Sequence, residues 1–264
     1  MTSDQSKTEM HGKYANVNGI RMYYELHGAG NPLVLIHGGG STITTTFGKI
    51  LPLLAETHQV IAVELQAHGH TGDRNAPETF EQDGADVVEL LKQLDIPKAN
   101  IFGFSNGGQT AMEIGIRYPE KVNKLIIASA FYKRSDVPDW FWPGFDNVQL
   151  NNMPQIYQDE YLRITNDKAA LLNMFNRDVE RMKNFKDWKE EDIWSIKAPT
   201  LIVTGDQDLP LPERVVEMYR LFSNGRLAIL PANHGSYMGE AMSPDPNSKV
   251  PEFFVAMINE FLAG

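Results

Sequence analysis

Six short apolar runs set what this chain can fold into: Pro32-Leu33-Val34-Leu35-Ile36, Gln59-Val60-Ile61-Ala62-Val63, Ala99-Asn100-Ile101-Phe102, Lys124-Leu125-Ile126-Ile127-Ala128, Pro199-Thr200-Leu201-Ile202-Val203 and Leu227-Ala228-Ile229-Leu230. They lack the strict alternation of a strand with one wet face, so they read as strands covered on both faces. Between them lie stretches of helical period: about Thr44 to Glu56, then Phe80, Val87, Val88, Leu90, Leu91 and Leu94 after Thr79, then the run after Asn106, then Pro212 to Phe222 and Lys249 to Leu262. Strands alternating with helices connect by right-handed crossovers into a largely parallel sheet with helices on both faces. The chemistry of such a sheet lies at the carboxyl ends of its strands. Ahead of this rhythm, Lys13–Val17 and Ile20–His27 flank Asn18-Gly19, which predicts a β-hairpin, since Asn-Gly supplies the positive φ angles of a tight turn. Thr79 with Gln82 predicts a capping box, and Pro119 ends the preceding helix at Tyr118.

From about Phe131 to Trp194 the rhythm breaks into a stretch rich in aromatics and methionine: Trp140, Phe141, Trp142, Phe145, Met153, Tyr157, Tyr161, Met174, Phe175, Met182, Phe185, Trp188 and Trp194. An insertion of this composition predicts a helical cap over the site, with about a third of these side chains lining a pocket and the rest forming its own small core. The expected organisation is therefore a core of residues 13–130 and 195–264, a cap of residues 131–194, and a polar, disordered start over residues 1–12.

A chain of 264 residues suits one large domain with an insertion. Lys+Arg is 24 and Asp+Glu 34, a net charge of −10, and no basic run interrupts it, which excludes a nucleic-acid partner. With no cysteines, a disulfide framework, Cys-ligated zinc and a cysteine nucleophile are excluded. No stretch approaches the ~20 apolar residues of a membrane helix. The polar N-terminus lacks the apolar segment of a secretory signal, so a cytoplasmic protein is expected.

The chemistry centres on Gly103-Phe104-Ser105-Asn106-Gly107, a Gly-x-Ser-x-Gly stretch between an apolar run and a helical one. A serine on a sharp strand-to-helix turn projects its hydroxyl above the sheet edge, while the next N–H, that of Asn106, faces any oxyanion formed there. Ser105 is thus the candidate nucleophile. A hydroxyl needs a general base, and the base an orienting carboxylate. His234, the one histidine after Ser105, follows the last predicted strand and is the candidate base. Asp206 and Asp208 compete as the carboxylate in Thr204-Gly205-Asp206-Gln207-Asp208. Asp208 is preferred because it lies further into the loop with Gly-x-x-Asp spacing, leaving Asp206 as a turn residue. His37-Gly38-Gly39-Gly40 directly follows a strand, and Gly39 N–H is the candidate second oxyanion donor, with His37 fixing the loop. His68 and His70 invite a metal reading, but the sequence around them offers no carboxylate cluster, so neither metal nor other cofactor is expected.

Taken in order, Ser105, Asp208, His234, the His37-Gly38-Gly39 loop and the interrupted βα rhythm resemble the α/β-hydrolase superfamily from about Lys13 to Leu262. Within it the chain looks like bacterial cap-bearing hydrolases related to enol-lactonases, cofactor-free haloperoxidase-like esterases and C–C bond hydrolases. Glu64-Leu65-Gln66-Ala67-His68-Gly69-His70-Thr71 and Ala198-Pro199-Thr200-Leu201-Ile202 carry secondary likeness. The resemblance implies an α/β-hydrolase fold and a serine hydrolase acting on a small or medium ester or lactone. A C–C bond hydrolase or a non-catalytic hydrolase-fold receptor are the alternatives. Glu64 and Ala67 depart from the usual Asp and Gly, His70 from the common Arg, and Asn233-His234-Gly235 from the usual surroundings of the base. Ser105 stands where dehalogenating and epoxide-opening relatives carry aspartate. Oligomeric state is not legible in this sequence.

Overall fold

The computed structural model describes residues 12–264. The expected disorder of the N-terminus falls on residues 1–11, outside the described residues, while Gly12 already pairs with Glu25. Strands β1 (Gly12–Val17) and β2 (Ile20–His27) form the hairpin read from Asn18-Gly19, whose φ angles are 43° and 91°. The apolar runs become β3 (Asn31–Ile36), β4 (His58–Val63), β5 (Ala99–Phe104), β6 (Val122–Ala128), β7 (Thr200–Gln207) and β8 (Gly225–Asn233). One eight-stranded sheet results, in the order β1-β2-β4-β3-β5-β6-β7-β8; the expectation that all six runs are covered on both faces fails at β8, which lies at the sheet edge with Ile229 exposed. β3 to β8 run parallel, and the hairpin joins antiparallel through β2 and β4.

This order places the site. From β3 the chain steps outward to β4, then crosses back to β5 on the other side of β3, so the carboxyl ends of β3 and β5 adjoin where the winding reverses. Loops leaving adjacent strands in opposite directions open a crevice between them.

The helices are α1 (Ile43–Phe47), α2 (Leu51–Leu54), α3 (Phe80–Gln93), α4 (Asn106–Arg117), α5 (Gln155–Thr165), α6 (Lys168–Lys183), α7 (Glu190–Ser195), α8 (Pro212–Tyr219) and α9 (Val250–Ala263). The single helix expected from Thr44 to Glu56 is two short ones. The break follows Gly48, and Pro52 lies in the first turn of the second helix, where its missing N–H costs no bond. The capping box at α3 is half formed. Thr79 Oγ1 accepts from Gln82 N at 3.1 Å, but the Gln82 amide donates to Asp86 Oδ1 at 2.9 Å instead of turning back.

Val34, Ile36, Ile61 and Val63 belong to one core cluster with residues of α3 and α4, whereas Leu33, Leu35, Val60 and Ala62 belong to another with residues of α1, α2 and α9. Alternate residues of one strand thus serve two cores, which is why β3 and β4 read as continuous apolar runs. Each buried side chain of this size contributes roughly 1.5–3 kcal/mol. Between β6 and β7 an insertion of α5, α6, α7 and short 3-10 turns carries two small apolar clusters, one around Tyr161, Met174 and Phe175, the other around Phe131, Met182 and Phe185. Among the described residues no helix is long and apolar enough to cross a membrane.

Candidate active site

Ser105 sits between β5 and α4 with φ 52° and ψ −124°. Such backbone costs on the order of 1–3 kcal/mol and persists only where its surroundings enforce it. They do so here: Ser105 N donates to Ala128 O at 2.9 Å, and Ser105 O accepts from Gly108 N at 2.7 Å. The flanking glycines are required by contact. A Cβ on Gly103 would lie 2.0 Å from Gly107 O, and one on Gly107 2.1 Å from Ile36 O.

His234, just beyond β8, brings Nε2 to 3.1 Å from Ser105 Oγ and Nδ1 to 2.6 Å from Asp208 Oδ1. A proton on Nδ1 shared with the carboxylate leaves Nε2 free to accept from the serine. Asp208 is buried and fully supplied with donors. Oδ1 also accepts from Leu209 N at 2.7 Å, while Oδ2 accepts from Ser129 Oγ at 2.5 Å, Gly205 N at 3.0 Å and Thr204 Oγ1 at 3.1 Å. Burial opposes its charge, but the bonds from His234, Ser129 and Gly205 outweigh it and hold the carboxyl below its ordinary range. Asp206 points elsewhere, its Oδ1 accepting from Ala232 N at 2.9 Å. Ser129, at φ 51° just past β6, also bonds Tyr237 Oη at 2.6 Å; neither residue was singled out from the sequence. An isolated serine after a strand carries no signal, and its partners lie far along the chain.

The His37–Gly40 loop leaves β3 beside this turn. A Cβ on Gly39 would lie 2.4 Å from Asn106 Nδ2, so Gly39 and Asn106 meet next to Ser105. His37 is buried and holds the loop from below: Nε2 accepts from Leu65 N at 3.0 Å, which leaves Nδ1–H to donate to Gly38 O at 2.7 Å. Burial, reinforced by the neighbouring His68, pulls its pKa down to about 3.

The expectation that no carboxylates surround His68 is corrected by the fold. Glu78 and Asp178 converge on it, with one potential ligand atom of each residue within 4.8 Å of the others. They come from ten and 110 residues further along the chain. The buried Arg181 guanidinium occupies this cluster, bonding Asp178 and Asp83 and lying 3.4 Å from Glu78, so a cationic group already stands where a metal would bind. His70 is not part of it: Glu64 Oε2 accepts from His70 N at 2.6 Å and lies 2.9 Å from its Nδ1. The unusual Glu64 thus ties its own loop, and the unusual Ala67 adopts φ 62°, a conformation that favours glycine.

A cavity of about 280 Å³ lies between Ser105 and the insertion, lined by Gly39, Asn106, Asp178, Leu209 and apolar side chains. Seven of the thirteen aromatic and methionine residues singled out line it, more than the third expected: Phe141, Phe145, Met153, Tyr157, Met174, Phe175 and Met182. None of the tryptophans does. A larger cleft of about 660 Å³, between the start of α3 and the end of α6, contains neither Ser105 nor His234. The smaller cavity is therefore the candidate binding site.

A sequence model of the family described as alpha/beta hydrolase fold matches residues 31–172. The 2-hydroxymuconate semialdehyde hydrolase of Pseudomonas sp. strain CF600 is 33% identical over 237 residues, spanning 80% of this chain and 82% of its own. Human serine hydrolase BPHL is 26% identical over 232 residues, spanning 81% and 77%. Among solved structures, the enol-lactonase from Burkholderia xenovorans LB400 superposes with a TM-score of 0.74 at 19% identity, covering 96% of this chain and all of that one, a likeness of fold.

Proposed function

This chain belongs to the alpha/beta hydrolase fold family, and we propose that within it the protein is a serine hydrolase cleaving a small or medium carboxylic ester or lactone. The carrying observation is the unbroken line from Asp208 through His234 to Ser105, at 2.6 and 3.1 Å. Ser105 Oγ attacks the carbonyl carbon as His234 Nε2 takes its proton; Asp208 fixes the ring and stabilises the imidazolium. The N–H groups of Gly39 and Asn106 bind the oxyanion. On collapse the C–O bond breaks, the leaving alkoxide takes the proton from His234, and water then repeats the sequence to free the acid. The insertion acts as a cap whose apolar side chains hold the acyl chain, while the acyl carbonyl stays open to the hydrolytic water.

The Pseudomonas relative supports a second reading, C–C bond hydrolysis by the same residues. The cavity favours the ester. Among the described residues lining it there is no Lys or Arg, and an unpaired substrate carboxylate in an apolar pocket would cost several kcal/mol. Intact-mass measurement after incubation with an alkyl fluorophosphonate tests the nucleophile. One adduct is expected, absent in Ser105→Ala. The same preparation should turn over p-nitrophenyl butyrate at least about 100-fold faster than a dienoic keto acid. The reverse preference would move the C–C reading forward, and a folded protein that takes no label would leave a hydrolase-fold receptor.

A further inference from the structure

We propose that Asp178, on α6 of the insertion, is a positioning residue for the oxyanion loop: its carboxylate grips Gly40 and thereby sets Gly39 beside Ser105 while α6 is seated on the core. This rests on the reading of Ser105 as nucleophile and Gly39 as oxyanion donor.

Besides its internal bonds, from Ser41 N to Gly38 O at 3.4 Å and from Ser41 Oγ to Gly39 O at 3.3 Å, the loop has two side-chain anchors. From below, His37 Nδ1 donates to Gly38 O at 2.7 Å. From above, Gly40 N donates to Asp178 Oδ2 at 2.5 Å, across 138 residues of sequence. Gly39 lies between these anchors, with a Cβ position 2.4 Å from Asn106 Nδ2 and 3.4 Å from Asp178 Oδ2. It is sandwiched between the start of α4 and a side chain of α6. Gly40 has φ 64°, a left-handed conformation that a free glycine leaves as readily as it enters, so the loop needs an external hold to keep its N–H groups aimed at one point. The Gly39 N–H itself bonds no described residue.

Asp178 is held as firmly as what it holds. Oδ2 also receives His68 Nε2 at 3.1 Å, and Oδ1 receives the guanidinium of Arg181, whose Nη1 reaches Asp83 Oδ2 on α3 at 2.9 Å. Two cationic groups bond the carboxylate, so its lone pairs are committed to this scaffold and not to a substrate. The insertion therefore supplies part of the alignment of the oxyanion loop, and a chain in which α6 had lifted away would keep the Ser105–His234 contact but lose the upper anchor of the loop.

Asp178→Leu removes the acceptor, whereas Asp178→Asn keeps one. With p-nitrophenyl butyrate, Asp178→Leu is expected to lower kcat by about 30–300-fold with KM within about 3-fold, since oxyanion bonds strengthen only in the transition state. Inhibition by a trifluoromethyl ketone, which forms an oxyanion on Ser105, should weaken by the same factor, and Asp178→Asn, whose amide oxygen can still accept from Gly40 N only with its NH2 turned against Arg181, should lose part of kcat but less than Asp178→Leu. A folded Asp178→Leu with unchanged kcat, or one whose loss is all in KM, overturns the proposal. Because taking an acceptor from Arg181 and His68 in a buried site can prevent folding, exchange of the Gly40 amide is measured on the unaltered protein as well. Slowing of at least about 100-fold relative to an unstructured glycine is expected, and free exchange in an enzyme that hydrolyses the ester overturns this proposal alone. An unaltered protein inert to both ester and fluorophosphonate overturns the nucleophile reading and this one with it.

Discussion

An amide in place of the Asp208 carboxylate would meet donors on both sides. Oδ1 faces His234 Nδ1 and Leu209 N, and Oδ2 faces Ser129 Oγ, Gly205 N and Thr204 Oγ1. Whichever way the Asn amide turns, its NH2 opposes a donor or drives His234 into the tautomer that leaves Nε2 protonated. Asp208→Asn is therefore expected to lower kcat by roughly 10³–10⁴-fold with little change in KM. Steady-state kinetics on an activated ester checks this, and a loss below tenfold would show that the carboxylate is not what orients the base. The Gly-x-x-Asp spacing that favoured Asp208 over Asp206 has a physical counterpart: three residues back, Gly205 N reaches Asp208 Oδ2 at 3.0 Å, while Asp206 turns to Ala232 N. Gly103 was legible for a similar local reason, since a Cβ there would meet Gly107 O, four residues on. Ser129 and Asp178 were not legible. Their partners lie 79 and 138 residues away, and local pattern carries no information about such pairs.

The turn leaving β6 for the insertion is built on one carboxyl. Asp136 Oδ2 accepts from Lys133 N at 2.9 Å and Tyr132 N at 3.2 Å, closing a short 3-10 turn over residues 134–136. Burial pushes its pKa up to about 6, against the lowering effect of these two N–H groups. The folded value thus lies above the unfolded value of ~3.9, so the proton is held more tightly in the folded state. The associated stability is complete below about pH 4 and is lost as pH rises through about 6. Urea midpoints at pH 4.5 and pH 7 should show Asp136→Asn gaining on the parent by on the order of 1–2 kcal/mol at the higher pH. Equal pH dependence in the two proteins would exclude Asp136 as its source. Elements were otherwise read well where periodicity was long, as in α3 and α9, and poorly where a break was local. The split between α1 and α2 turns on Gly48 and Pro52, and the half-formed cap of α3 on the Gln82 side chain finding Asp86 instead of Thr79.

Across the whole molecule, the parallel α/β sheet was legible because strands buried on both faces carry unbroken apolar runs, but the order of those strands was not, since nothing local in β3 says that β4 and β5 flank it. That order brings the loop after β4, the start of α3 and helix α6 of the insertion together around His68, Glu78, Asp83, Asp178 and Arg181. The cluster joins core and insertion through charge, beside the Arg177–Asp73 ion pair, and a pH titration can read how much it contributes. Burial works against a charge on His68, but Asp178 at 3.1 Å and Glu78 at 3.7 Å outweigh it and lift its pKa to about 9. A histidine whose folded value exceeds its unfolded ~6.5 contributes stability that is fully present below pH 6.5 and lost as pH rises through the folded value. The urea midpoint should therefore fall between pH 7 and pH 9.5 by the equivalent of roughly 2–3 kcal/mol. In His68→Gln most of that stability should already be missing at pH 7, and the slope over the same interval should flatten. A parent midpoint that holds constant to pH 9.5 would mean that His68 is neutral in the folded protein and that Arg181 alone balances Asp178.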